Sequence, residues 1–302
     1  MKYHFKYNDT DLDYRFIIRQ AGCIGGEDYF DLVSPRGLFG IVITGNNPDK
    51  EFLHSFNSDF QFFCDKNHIV AEYIRFDPWN SKPLLFDSIY HIVPHGYEYC
   101  IDLQDTNFFT SQFSSKRRNQ VRKAQSFPLH FILNAGEEGI DILLKLYRFT
   151  EGKYDISDYY RLDSSFLKKY FELLDGRVTI SVVYFEDEPI TAGMFLNGGD
   201  VLHYHFSASN SQYAKLNAPS LMLYKMCIYA QKQGCKWLDL GGATLGSGLD
   251  CFKRSMVSEK GLLNNYVGTI IRNQDIYQKL LNTYGSQPEG YFPMYKRIIR
   301  DN

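Results

Sequence analysis

Long apolar runs are missing from this 302-residue chain: none approaches the roughly 20 residues that a membrane-spanning helix needs. The opening stretch, MKYHFKYNDTDLDYRF, contains no apolar block, so no secretory signal is expected. The six cysteines, Cys23, Cys64, Cys100, Cys227, Cys235 and Cys251, form no C-x-x-C pair. No metal site and no disulfide framework are expected, and free thiols in a reducing cytoplasm fit the spacing. No G-x-S-x-G, H-E-x-x-H or Walker-type run occurs, which removes the signatures of a hydrolase, a zinc protease and a kinase. The formal net charge of -2 lacks the positive excess needed to wrap nucleic acid, so DNA is not an expected partner. No Pro- or Ser-rich linker divides the chain.

What is present points to a packed globular protein. Hydrophobic residues make up 44% and charged residues 23%, and the length suits one large or two medium domains. The 23 Tyr and 24 Phe supply core area, and the tyrosine hydroxyls suit clefts for amphipathic ligands. Helical spacing runs through EFLHSFNSDFQFFCDKNH (51–68), the basic stretch after Thr110, GIDILLKLYRFTEGKY (139–154), SSFLKKYFELLDG (164–176) and APSLMLYKMCIYAQKQG (218–234). Ser164 or Ser165 is the expected N-cap of the fourth, and Gly176 its stop. Strands are expected in GLFGIVITG (37–45), IVAEYIRF, YEYCIDL (97–103), LHFIL, CKWLDLGG and NNYVGTIIR (264–272), with three more joined by EDEP and NGGD turns. DIYQKLLNTYG closes the chain as a helix. The predicted class is α/β, or α+β, in two units: residues 1–125 and 126–302.

Several stretches share one pattern in order: YIRFDPW (73–79), SSKRRNQVRKA (114–124), YHFSASNSQYAKLNAPSLML (204–223), GCKWLDLGGA (234–243) and FKRS (252–255). Together they resemble the Fem-type, tandem-GNAT acyltransferases, which include peptidoglycan bridge-forming aminoacyltransferases and FemAB-like acetyltransferases of polysaccharide clusters. SPRGLFG (34–40) echoes a further family stretch, with Arg36 where a tyrosine is usual. The resemblance implies two GNAT-like domains of mixed sheets flanked by helices, the first holding the acceptor and the second the acyl donor. It implies transfer of an aminoacyl or acyl group to an amine of a cell-envelope precursor, peptidoglycan or amino sugar, in the cytoplasm. No firm cofactor is implied. The donor substrate is aminoacyl-tRNA or acyl-CoA, and contact with a membrane surface stays open. Two other readings are an acetyl-CoA-dependent acetyltransferase of surface-polysaccharide synthesis and a non-catalytic tandem-GNAT binding protein.

In acyl transfer to an amine, negative charge grows on the carbonyl oxygen, and a fixed cation lowers that barrier. The resemblance gives this role to Lys253, with Phe252 beside the donor. Without the resemblance, a lysine on a solvated helix face is the simpler account. Gly241 and Gly242 allow backbone to approach a ligand closely. Asn217, Ala218 and Ser220 open a helix that either holds the donor or is merely capped by the two polar residues. In the GNAT phosphate-binding pattern the central glycine is replaced by Leu216, which is expected to crowd a coenzyme A pyrophosphate. Arg117, Arg118, Arg122 and Lys123 are candidates for phosphate or tRNA contact, or a solvated basic face. Arg36, Tyr73 and Arg75 are the acceptor-side candidates, with Asp77 as an alternative ion-pair partner. His203, His205 and Asp239 are possible bases, and the two histidines are expected on one face of a strand.

Overall fold

The computed structural model describes residues 1–35, 40–79, 82–151 and 163–296. The chain divides into two compact units, residues 1–96 with 264–302, and residues 97–263. The first opens with β1 (Lys2–Tyr7), β2 (Thr10–Arg15), β3 (Ile17–Ile24), β4 (Glu27–Val33) and β5 (Ile41–Gly45). Helix α1 (Lys50–Lys66) and β6 (Ile69–Arg75) follow. Strand β7 (His91–Asp102) leads into the second unit, where α2 (Phe108–Ser111), α3 (Ser115–Gln125), β8 (Leu129–Ile132), α4 (Glu138–Glu151) and α5 (Ser164–Leu173) precede β9 (Val178–Phe185), β10 (Glu188–Asn197) and β11 (Val201–Ser209). Helix α6 (Ala218–Lys232), β12 (Trp237–Gly242) and α7 (Gly248–Arg254) come next. Strand β13 (Leu262–Ile271) returns to the first unit, which α8 (Gln274–Tyr284) completes.

In the first unit β1, β2 and β5 form an antiparallel sheet, and β3, β4, β6 and β13 lie in that order in another. Helix α1 starts where Asp49 accepts the backbone N–H of Phe52 at 2.8 Å. Its i, i+4 stripe of Phe52, Phe56 and Phe60 is buried against Tyr14 and Phe16. The division expected at 125/126 falls at the end of α3, inside the second unit.

The second unit carries the strand order β7-β12-β11-β10-β9-β8. Helix α6 covers one face through Met222, Leu223 and Met226, and α4 covers the other through Ile140 and Leu143. Burial on both faces explains why β9 reads VTISVVYF rather than as an alternating strand. The turns at Glu186 and at Gly198–Gly199 are those expected from sequence. The N-cap of α5 is Asp163 rather than Ser164 or Ser165, because its carboxylate accepts the Phe166 N–H at 2.7 Å. A bulge at His205 interrupts the alternation of β11, so His203 and His205 are not simple neighbours on one face. His203 bonds Asp239 at 2.9 Å and His205 bonds the Tyr170 hydroxyl at 2.9 Å.

Strands β11 and β12 are the parallel pair that positions the site. They pair only at Val201–Trp237, Leu202–Leu238 and His203–Asp239, although they run on to Ser209 and Gly242. Past His203 no further β11–β12 pairing is made, while β11 stays paired with β10 as far as Ser209 and β12 meets β7 again at Gly242. Open α/β sheets bind ligands outside the carboxyl ends of parallel strands, where neighbouring connections diverge.

Candidate active site

A cavity of about 630 Å³ lies at the carboxyl end of β11. The end of β11 contributes Ser207 and Ser209, and the start of α6 contributes Asn217, Ala218 and Ser220. Lys116, Arg117 and Gln120 enter from α3, and Cys251 and Phe252 from α7. Among the described residues, none that lines the cavity is a carboxylate or a histidine, while Lys116 and Arg117 are cations. The N-terminus of a 15-residue helix adds partial positive charge. The arrangement suits an anionic ligand with an apolar portion.

Arg117 is 8% exposed. Its Nε donates to Ser255 Oγ at 2.9 Å, Nη1 to Ser220 Oγ at 2.7 Å and Nη2 to the Phe252 carbonyl at 3.4 Å. The guanidinium lies 4.1 Å from the centre of the Phe252 ring. Burial, with no compensating carboxylate, draws its pKa down to about 10. Ser220 is therefore an acceptor for Arg117 and does not cap α6. Asn217 sits at the cap with φ 56° and makes no side-chain cap bond, its amide donating instead to the Lys215 carbonyl at 3.0 Å.

Lys253 is 7% exposed and does not line the cavity. Its Nζ donates to the Gly242 carbonyl at 2.8 Å. Burial pulls the ammonium below the ordinary lysine value, while Glu98, Asp239 and Cys100 pull the other way. Asp239 also accepts the Gly241 N–H at 2.7 Å, so both glycines belong to the lysine's surroundings rather than to the cavity wall. The loop before α7 is pinned, not supple. Ser247 Oγ accepts the Asp250 N–H at 3.1 Å, and Asp250 accepts the Gly246 N–H at 2.7 Å and the Tyr99 hydroxyl at 2.5 Å. Ser-x-x-Asp is a variant of the capping box, and that spacing was visible in the sequence.

Residues 111–254 match the family described as the acetyltransferase (GNAT) domain. Among solved structures, FemX aligns with 92% of this chain and 90% of its own at a TM-score of 0.67 and 14% identity. L-PGS from Bacillus licheniformis aligns with 90% of this chain and 85% of its own at 0.55 and 14%. A tandem GNAT protein from the clavulanic acid biosynthesis pathway aligns with 89% and 85% at 0.51 and 9%. The chain has the tandem-GNAT fold of the Fem type. No curated protein matches the sequence.

Within this tandem-GNAT fold the expected site residues separate. Phe252, Asn217, Ala218, Ser220 and Arg117 meet at the cavity; Gly241, Gly242 and Lys253 form a buried cluster at the end of β12. Arg118 caps the Thr110 and Phe113 carbonyls, Arg122 bonds Asn119 at 3.2 Å, and Lys123 lies over Phe127; none of the three lines the cavity. Tyr73 and Arg75 stand in register on β6 of the first unit, and Arg36 lies outside the described residues. The crowding expected of Leu216 is not found. Its side chain packs against the core of the second unit and is absent from the cavity wall, so it leaves room for phosphates. Sequence reasoning did not single out Gln120, Ser255 or Glu98, although Gln120 and Ser255 lie within SSKRRNQVRKA and FKRS; Lys116 belongs to the same basic run as Arg117. Among the described residues no helix is long and apolar enough to cross a membrane, and no group of three or more His, Cys, Asp and Glu is placed to hold a metal ion.

Proposed function

We propose that this protein is an N-acyltransferase that takes an acyl group from acyl-CoA, bound in the cavity of the second unit, and places it on an amine of a cell-envelope precursor. The observation that carries this reading is the cavity at the carboxyl end of β11, with Lys116 and Arg117 on its wall and, among the described residues, no carboxylate. A pyrophosphate-bearing carrier matches that charge, and Phe252, Ile190 and Ala208 offer apolar contact to its pantetheine arm. The match to an acetyltransferase domain supports a coenzyme A donor over aminoacyl-tRNA. The envelope acceptor is suggested by the likeness to FemX.

In the reaction a neutral amine attacks the thioester carbon, the tetrahedral oxyanion collapses, and the C–S bond breaks to give an amide and a thiolate. Among the described residues, the cavity wall offers no histidine or carboxylate as base. The leaving thiolate, whose conjugate acid has a pKa of roughly 8.5, takes the proton that the amine loses. Lys253 holds positive charge at the end of β12, behind the cavity wall, and fixes the Gly242 carbonyl.

Calorimetry of the full chain with acetyl-CoA is expected to give a Kd on the order of micromolar, about -8 kcal/mol. Incubation with acetyl-CoA and amine acceptors, amino sugars and nucleotide-linked peptides among them, is expected to release free thiol. No binding of acetyl-CoA, together with transfer from aminoacyl-tRNA, would overturn the donor assignment. No thiol release with any amine despite tight binding would leave a binding protein.

A further inference from the structure

We propose that Arg117, supported by Ser220, Ser255 and Gln120, forms a subsite that grips one fully charged oxyanion of the donor. This rests on the donor reading above. Among the described residues the other buried arginine comes with an acid. Arg272 is paired with Glu72, and the half-exposed Arg254 with Asp250. Arg117 meets two hydroxyls, one carbonyl and a ring, and among the described residues no carboxylate. Arginine is almost never fully buried unless paired, because removing its charge from water costs several kcal/mol. Its wall position on the cavity lets a ligand supply the missing counter-charge.

The guanidinium presents five N–H hydrogens, and its protein bonds engage Nε and one hydrogen on each terminal nitrogen. One hydrogen is left on Nη1 and one on Nη2, and a guanidinium fork donates its free hydrogens to oxygens of a phosphate or carboxylate. Ser220 and Ser255 hold the fork from two different helices, so it is oriented before the ligand arrives. Gln120 lies one turn along α3, also on the wall, and its buried Oε1 has no hydrogen-bond partner. Exchanging the amide oxygen and nitrogen there turns that orphan acceptor into a donor on the same helix face as Arg117. Lys116, exposed at the mouth, is a second cation without such support.

A hydroxyl-bonded clamp between helices accounts for the three hydrogen bonds but not for the use of a permanent charge. The oxyanion comes from one of two sources, a phosphate of the carrier or a carboxylate within the acyl group. The test is calorimetry of the full chain with inorganic pyrophosphate, coenzyme A, acetyl-CoA and succinyl-CoA, on wild type, Arg117→Gln, Arg117→Lys and the control Lys279→Gln, an exposed lysine away from the cavity. Hydrogen bonds to charged groups predict a loss of about tenfold to a hundredfold in affinity for Arg117→Gln, partly restored in Arg117→Lys. A phosphate source shows as that loss on pyrophosphate and coenzyme A. A carboxylate source shows as succinyl-CoA binding wild type at least tenfold tighter than acetyl-CoA, with the preference lost in Arg117→Gln. Unchanged affinities in Arg117→Gln beside a lower melting temperature make the residue a clamp and overturn the proposal. If Arg117→Gln does not fold, the rise in melting temperature of wild type and Arg117→Lys with pyrophosphate, against sodium chloride of equal ionic strength, decides in its place; no specific rise in wild type overturns it. Binding is read without turnover. Acyl transfer with Arg117-independent binding therefore sinks this proposal alone, and Arg117-dependent binding without transfer sinks only the reaction.

Discussion

Replacing Lys253 with methionine is expected to lower kcat by about 10²–10³ while leaving the KM for the acyl donor nearly unchanged, because the lysine is absent from the cavity wall and a fixed cation acts on the charge that develops in the transition state. The same change removes the cation that faces Glu98 and Asp239, both 6% exposed. Breaking a buried charge cluster from one side costs about 3 kcal/mol or more, so the second unit should also unfold at lower urea. Lys253→Arg keeps the charge but has a different head, and partial recovery of stability without recovery of kcat would separate the two roles. There is a pH signature as well. The folded ammonium has a pKa below its ordinary 10.5. At pH values under both, folded and unfolded chains hold the proton equally. Between the folded value and 10.5 the unfolded chain binds more protons, so stability rises with pH across that window. Lys253→Met should lack the rise. A variant that loses donor affinity and keeps kcat would remove Lys253 from the chemistry and make it a support of the cavity.

The parts of the fold legible in sequence are those in which local pattern and tertiary packing agree. Phe52, Phe56 and Phe60 at helical spacing, with Asp49 before them, specify α1 without reference to anything distant. The Glu186 turn between two apolar runs specifies the β9–β10 hairpin. Strands β1 to β4 gave no such signal. KYHFKY alternates exposed and half-buried positions with charges on the outer face, and it gains its partner only through the antiparallel register with β2. The site splits in the same way. The order of motifs grouped Phe252, Asn217 and Ser220 at the donor and set Arg117 apart as a phosphate or tRNA contact, whereas the fold brings all four to one cavity. Lys253 was expected on a supple loop in contact with the reaction, yet a Ser247–Asp250 cap fixes its helix and Glu98, far away in sequence, shapes its charge. Leu216 shows the limit most plainly: a sequence position said that a side chain was present but not where it pointed.

Substituting Glu72 with alanine should be among the most destabilising single changes in the first unit. Glu72 and its partner Arg272 have side chains 0% and 1% exposed, and they are joined across 200 residues. Glu72 also accepts the hydroxyls of Tyr14 at 3.0 Å and Tyr90 at 3.2 Å, while Arg272 Nη1 donates to Asn57 at 2.7 Å and Gln61 at 3.2 Å. Burial opposes the guanidinium charge, but Glu72 more than offsets it and holds the Arg272 pKa above its ordinary value. The pair therefore ties β6, β2 and α1 to the end of β13, and this is the long-range bond that returns residues 264–302 to the first unit. A domain boundary read along the sequence could not register it. Alanine at 72 leaves a buried cation with no acid, at a cost of about 3–5 kcal/mol, and the urea midpoint should fall by roughly 1.5–3 M. The double change Glu72→Leu with Arg272→Met removes both charges and should regain most of that loss, because an apolar pair of similar volume avoids the desolvation of two ions. If Glu72→Ala instead moves the midpoint by less than the equivalent of about 1 kcal/mol, the cation reaches water or another acid in the variant, and Arg272 is not the bond that closes the first unit.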